Sequence, residues 1–266
     1  MKVYISADIE GITGVTSWSE TDKGNADHSS LVKQMEEEVN AACRGALKAG
    51  AEEILIKDAH DSGRNIDPAV LPRNTKLIRG WSGHPFSMVQ ELDESFDALM
   101  FIGYHSRSGS GANPLSHTMN AHAINYIKIN GTYASEFLIH AYAAATVDVP
   151  VVFVSGDKGL CEEINKFNEN ISTFAVKEGV GNSTIGINSN LAAQLTEEKV
   201  EEALKGNLSL CKIKLPDSFE VEISYVNHIK AYKASFYPGV KQISPTNIVY
   251  KSRSYFDVLC MISFLV

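Results

Sequence analysis

The chain is short of the features that mark several large protein classes. Its 266 residues include only four cysteines, Cys43, Cys161, Cys211 and Cys260, with no paired ligand spacing and no disulfide framework. They read as small buried hydrophobes in a reduced compartment. No apolar run reaches the roughly 20 residues of a membrane span. The most apolar stretch, Tyr255 to Val266, is too short, contains Asp257 and reads as a buried terminal helix. Basic residues are few, 24 Lys and Arg against 32 Asp and Glu, and the net charge of −8 without a basic patch argues against a nucleic-acid partner. The first residues enter a strand-like run with no signal-peptide pattern, so a cytoplasmic location is expected. Two common hydrolase devices are missing as well. Ser108-Gly109-Ser110-Gly111 lacks the strand–turn–helix setting of a serine nucleophile elbow, and there is no His-Glu-x-x-His helix.

What is present is ordinary in bulk and specific in pattern. Hydrophobic residues make up 44% and charged residues 21%, so a soluble globular protein with ample core is expected, as one large domain or two modest ones. Three apolar runs end on residues that bind metals. Val3 to Ala7 leads into Asp8-Ile9-Glu10, Ile54 to Lys57 into Asp58-Ala59-His60, and Leu99 to Tyr104 into His105. Between the first two, Leu31, Met35, Val39, Ala42, Cys43, Ala46 and Leu47 recur at helical spacing, with Glu36, Glu37 and Glu38 on a solvated face and Gly50 as the stop.

Short strands alternating with helices predict an α/β fold with a mainly parallel sheet flanked by helices. The character of the chain changes near residue 190. A smaller α+β unit is expected over 191–266 after an α/β metal-site domain over 1–190, with strands at Val221–Val226 and Asn247–Lys251. Tyr126 to Ile129 with the Asn130-Gly131 turn reads as a hairpin.

In an open α/β sheet, ligands bind at the carboxyl ends of the strands, so residues distant in sequence share one rim. Asp8 and Glu10 are two apart and point the same way in extended chain. His60 and His105 add neutral nitrogens from neighbouring strand ends, and Glu136 is a further candidate ligand from a helix start. Carboxylate and imidazole in this ratio suit zinc, and also manganese or cobalt. Five ligands exceed the three that one catalytic zinc takes from protein, which favours two metals sharing a carboxylate. Asp58 reads either as a ligand or as an acceptor that orients His60. His117, beyond the Ser- and Gly-rich loop, is the best candidate for a group that moves a proton or stabilises a developing oxyanion, with a backbone-bonded loop histidine as the alternative. His140 lies one helical turn after Glu136 and reads as a packing residue.

These residues resemble the DppA-type D-aminopeptidases, a zinc-dependent metallopeptidase family also labelled dipeptide transport proteins. The matching pieces are Ser6 to Gly14, Asp58-Ala59-His60, Pro85 to Val89, Phe101 to His105, Leu115 to Met119, and Ile129-Asn130-Gly131 followed by Glu136. Weaker matches are Val154 to Asp157 and Ala175-Val176-Lys177. After Lys177 the chain departs from the family pattern, with Gly181-Asn182-Ser183-Thr184 in place of a basic residue followed by small ones. The resemblance implies two zinc ions per chain held by Asp8, Glu10, His60, His105 and Glu136, with His117 catalytic. It implies release of N-terminal residues from short peptides containing D-amino acids, such as D-Ala-D-Ala. It also implies a homo-oligomer built as a dimer of pentameric rings. The alternatives that the residues leave open are an amidohydrolase acting on L-peptides or acylated amino acids, and a non-catalytic peptide-binding accessory to dipeptide uptake.

Overall fold

From Val3 to Ala7 every residue is buried, the pattern of a strand covered on both faces. The same holds for the whole of Ala98–Tyr104 and Val151–Asp157. A computed structural model describes all residues, 1–266. In chain order its first strands are β1 (Lys2–Ala7), β2 (Glu53–Asp58), β3 (Thr75–Ile78), β4 (Ala98–Tyr104), β5 (Ile124–Ile129) and β6 (Thr132–Tyr133). They are followed by β7 (Val151–Asp157), β8 (Ser172–Val180), β9 (Ser183–Gly186), β10 (Phe219–Tyr225), β11 (Lys241–Gln242) and β12 (Asn247–Ser252). The helices are α1 (His28–Lys48), α2 (Glu136–Thr146), α3 (Lys158–Phe167), α4 (Ser189–Lys205), α5 (His228–Ala234) and α6 (Tyr255–Leu265).

Seven strands make one sheet in the order β3-β2-β1-β4-β7-β8-β9, parallel throughout except for β9, which returns antiparallel on β8. Helices flank it, as expected of an α/β fold. The strands that end on the metal-binding residues are central neighbours. Ala7 pairs with Asp58 on one side and with Ile102 on the other, so the chain leaves β2, β1 and β4 along one short stretch of rim.

The second sheet is antiparallel, in the order β11-β12-β10-β5-β6. It takes strands from both sides of residue 190: the hairpin β5–β6 comes from the earlier segment and β10 to β12 from the later one. One core of 66 buried residues runs through both sheets. The hairpin delivers the chain directly to α2, which is how Glu136 arrives at the rim. The terminal helix α6 buries Tyr255, Val258, Leu259, Met261 and Ile262, as its apolar composition predicts. No helix of the protein is long and apolar enough to cross a membrane.

One expectation changes. Glu38 is not on the solvated face of α1. It is fully buried, and its Oε1 accepts from the Thr13 backbone N–H at 3.0 Å.

Candidate metal centre

Each side chain of the rim is set by its local backbone. Asp8 follows β1 directly, and its N–H still donates to the Ile102 carbonyl at 2.9 Å, which extends the sheet by one residue. Gly103 in β4 has a φ of +72°, and a Cβ there would lie 2.3 Å from the Asp8 carbonyl oxygen, so only glycine lets the two chain segments meet. Ser135 caps α2 by accepting from the Leu138 N–H at 3.2 Å. Glu136 is therefore in the first turn, where the helix dipole favours an anion.

Each of these histidines donates one ring N–H to a carbonyl, which can only accept, and so turns its other ring nitrogen to the cluster. His60 donates from Nε2 to the Thr21 carbonyl at 3.0 Å, which turns its Nδ1 toward Asp8 Oδ1 at 3.3 Å and Glu10 Oε2 at 3.1 Å. His105 donates from Nδ1 to the Ser106 carbonyl at 3.0 Å and presents Nε2 to Glu136 Oε2 at 3.3 Å and Asp8 Oδ2 at 3.6 Å. His117 donates from Nδ1 to the Leu115 carbonyl at 2.9 Å. Its ring stacks on His105 with centroids 4.3 Å apart, and its Nε2 lies 3.5 Å from Glu136 Oε1. That Glu136 oxygen also accepts from the Met119 N–H at 2.6 Å.

The structure thus brings together all six residues singled out in the sequence. Three sets have ligand atoms within 4.8 Å of one another: Asp8, Glu10 and His60; Asp8, His105 and Glu136; and Glu10, His105 and His117. The first two sets share Asp8, whose Oδ1 faces one histidine and whose Oδ2 faces the other. Asp58 does not join them and does not orient His60. Its oxygens accept from the Asn65 and Ile66 N–H groups and from Asn65 Nδ2, which fixes the following loop. The acceptor that orients His60 is instead the Thr21 carbonyl, a backbone group that no sequence motif marks. His140 stays outside the cluster, bonded to the Glu136 carbonyl at 2.7 Å.

The residues fit a cation. Glu10 Oε2 and His105 Nε2 are buried and have no hydrogen-bond partner, although other charged groups approach them closely. A buried polar atom left unpaired costs about 1–3 kcal/mol, more if charged, so two aimed at the same point mark a site for an ion. The charges agree. Burial and the neighbouring Glu10 carboxylate push Asp8 well above the ordinary carboxylate range. Burial opposes ionisation of Glu10 and Glu136 too, but the surrounding imidazoles outweigh it, holding Glu10 well below its usual value and Glu136 at about 2. Burial likewise opposes charge on His105, yet Glu136, Glu10 and Asp8 raise it to about 10. Without an ion, protons on Asp8 and on the imidazoles of His60 and His105 offset the carboxylates, and a cation bound there would displace those protons.

Asp8, Glu10, His60, His117 and Glu136 line a cavity of about 810 Å³ together with Trp18, Trp81, Met88, Met119, His122, Asp22 and Asp61, while His105 lies behind them. His117 is the most exposed of the six side chains, at 12% against 7% or less for the others, so it is the one that meets whatever enters.

An α/β sheet with carboxylates and imidazoles converging at its carboxyl rim, on the floor of an open cavity, defines a metal-dependent hydrolase. The chain belongs to the D-aminopeptidase family, whose model matches residues 1–264. It is 32% identical to a D-aminopeptidase of Bacillus subtilis strain 168 over 250 residues, covering 94% of this chain and 90% of the relative. The fold matches a solved structure described as the Zn-dependent D-aminopeptidase DppA from Bacillus subtilis, a self-compartmentalizing protease. The TM-score is 0.93 at 28% identity, over 100% of this chain and 96% of that one.

Proposed function

We propose that this protein is a zinc-dependent aminopeptidase that releases N-terminal D-residues from short peptides of the D-Ala-D-Ala type, in the cytoplasm, as a dimer of pentameric rings. Family membership supports the reaction, and the zinc dependence of the matched structure supports the metal. The observation that carries the site is Asp8, whose two oxygens face two separate donor sets. In this reading Asp8, Glu10, His60, His105 and Glu136 would hold the zinc.

Zinc held by these residues would supply Lewis acidity toward a carbonyl and a water. The chain's own residues do the rest. The Thr21 and Ser106 carbonyls keep His60 and His105 in the tautomers that offer a lone pair to the cage. The Met119 N–H holds Glu136 Oε1, so that Oε2 faces the cage. His117 is held by the Leu115 carbonyl and by stacking on His105, with Nε2 toward the cavity. There it takes a proton from the attacking water and returns it to the leaving amine. Trp18 packs edge-on against His117 at 5.3 Å and limits solvent on that side.

The deciding experiment measures metal content by mass spectrometry on fresh protein, with hydrolysis of D-Ala-D-Ala and L-Ala-L-Ala before and after chelation. About two zinc ions per chain, with chelator-sensitive cleavage of the D-peptide alone, is the expected result. Two zinc ions with cleavage of the L-peptide alone would overturn the stereochemistry. Absence of metal, with no activity restored by zinc, manganese or cobalt, would overturn the site.

A further inference from the structure

Lys177 is a buried cation that the proposed reaction does not use. Only 3% of it is exposed, and its Nζ donates to the backbone carbonyls of Glu10 and Val15, each at 2.6 Å. It stands on β8, three strands away from β1 in the sheet, and reaches back across the rim to the loop that carries Glu10. Asn113, equally buried, donates from Nδ2 to the same Glu10 carbonyl at 3.0 Å and to Asp157 Oδ2 at 3.2 Å. Asp157 in turn accepts from the Ser106 N–H at 2.6 Å and the Ser106 hydroxyl at 2.5 Å. The Ser106 carbonyl is the group that orients His105.

A single buried network therefore runs from the loop of one ligand, Glu10, to the orienting group of another, His105. Its cost is plain. Burying an ammonium group is unfavourable by several kcal/mol unless charge and hydrogen bonds compensate. Burial pulls Lys177 down to about 8, against the opposing pull of Asp157, Glu38 and Glu10. An aliphatic side chain would fill this space without that penalty, but it would leave the Val15 carbonyl without a donor and the Glu10 carbonyl with Asn113 alone.

We infer that Lys177, with Asn113 and Asp157 behind it, is a positioning residue of the metal centre, fixing the 10–15 loop so that Glu10 and His105 are held at their mutual spacing. This rests on the metal reading above. Partners that orient metal ligands typically change metal affinity or activity by about 10- to 100-fold when removed.

The test uses Lys177→Met, Lys177→Arg and Asn113→Ser beside the wild-type chain. It reads zinc affinity by competition with a chromophoric chelator, the visible bands of the cobalt-loaded protein, and kcat and KM on D-Ala-D-Ala at saturating zinc. Lys177→Met is expected to weaken zinc binding by about 10-fold or more, to shift the cobalt bands, and to lower kcat with little change in KM. Lys177→Arg, which keeps charge and donors, is expected to recover part of each. Unchanged zinc affinity and cobalt bands, with only a lower melting temperature, would overturn the proposal and leave a packing role. Should Lys177→Met not fold, Asn113→Ser decides. It removes one of the two donors to Glu10 without stranding a buried charge, and unchanged affinity and bands would again overturn the idea. A wild-type chain that binds no zinc would reject the metal reading itself, whereas a zinc-binding wild type with indistinguishable variants would reject only the positioning role.

Discussion

At the scale of single residues, two histidines close to Glu136 differ in burial and in physics. His117 could in principle be a ligand, because it shares one set with Glu10 and His105. Its greater exposure and its place over the cavity favour proton transfer. His117→Ala is therefore expected to lower kcat/KM by about 10²- to 10⁴-fold while the zinc content, measured on the same sample, stays at the wild-type level. Loss of zinc in step with activity would make it a ligand. His140 is buried and neutral: burial lowers it from 6.5 to about 4, outweighing the pull of Glu136. The unfolded chain takes up a proton below pH 6.5, whereas the folded chain does so only near pH 4, so stability is lost as pH falls through this window. By pH 5 the loss amounts to about 2 kcal/mol. Urea unfolding of chelator-treated protein at pH 7 and pH 5 should show a smaller acid loss for His140→Gln than for the wild type. An equal loss in both would mean that His140 is not held neutral.

At the scale of elements, the site depends on how closely strand ends approach. Gly11 and Gly103 let the loop after β1 lie against the end of β4. A Cβ on Gly11 would sit 1.8 Å from the Tyr104 carbonyl oxygen, and one on Gly103 would sit 2.3 Å from that of Asp8. Gly103→Ala is expected to cost about 3 kcal/mol or more, combining left-handed strain with overpacking. It should also reduce bound zinc, because the displaced atom belongs to Asp8; a variant with wild-type melting temperature and zinc content would contradict this. The same scale explains what could be read from the sequence. Asp8, Glu10, His60 and His105 were legible because each lies within three residues of the end of an apolar run, and parallel strands carry those ends to one rim. Glu136 was legible as a helix start behind a hairpin. Lys177 and Asn113 were not, because their partners are backbone carbonyls 167 and 103 residues away, which no spacing rule encodes. Glu38 misleads for a related reason. Three consecutive glutamates look like a solvated face, yet one of them turns inward to hold the N–H of Thr13. The pairing of β5 with β10 was equally hidden, since a hairpin's sequence specifies its own turn and not the sheet it joins.

At the scale of the whole molecule, several large apolar side chains of the later elements face solvent. Ile229, Tyr232 and Phe236, on and just beyond α5, are 63%, 61% and 69% exposed, and Phe264 at the end of α6 is 77% exposed. Tyr232 and Phe236 stack edge-on with centroids 5.1 Å apart, and they do so facing solvent rather than core. Contiguous large apolar side chains on one surface mark an interaction site more often than an idle face. The matched structure is described as self-compartmentalizing, so its copies assemble. A net charge of −8 per chain opposes close packing of copies unless apolar contact outweighs the repulsion, and salt screens that repulsion over about 8 Å at physiological strength. The assembly should therefore hold or tighten as salt rises, the opposite of one held by ion pairs. Light scattering on the eluting peak is expected to give about ten times the 29.0 kDa chain mass, without a decrease between low and high salt. An active 29.0 kDa species would remove the ring from the functional account. An assembly that falls apart in salt would keep the ring but transfer its cohesion from apolar faces to charge.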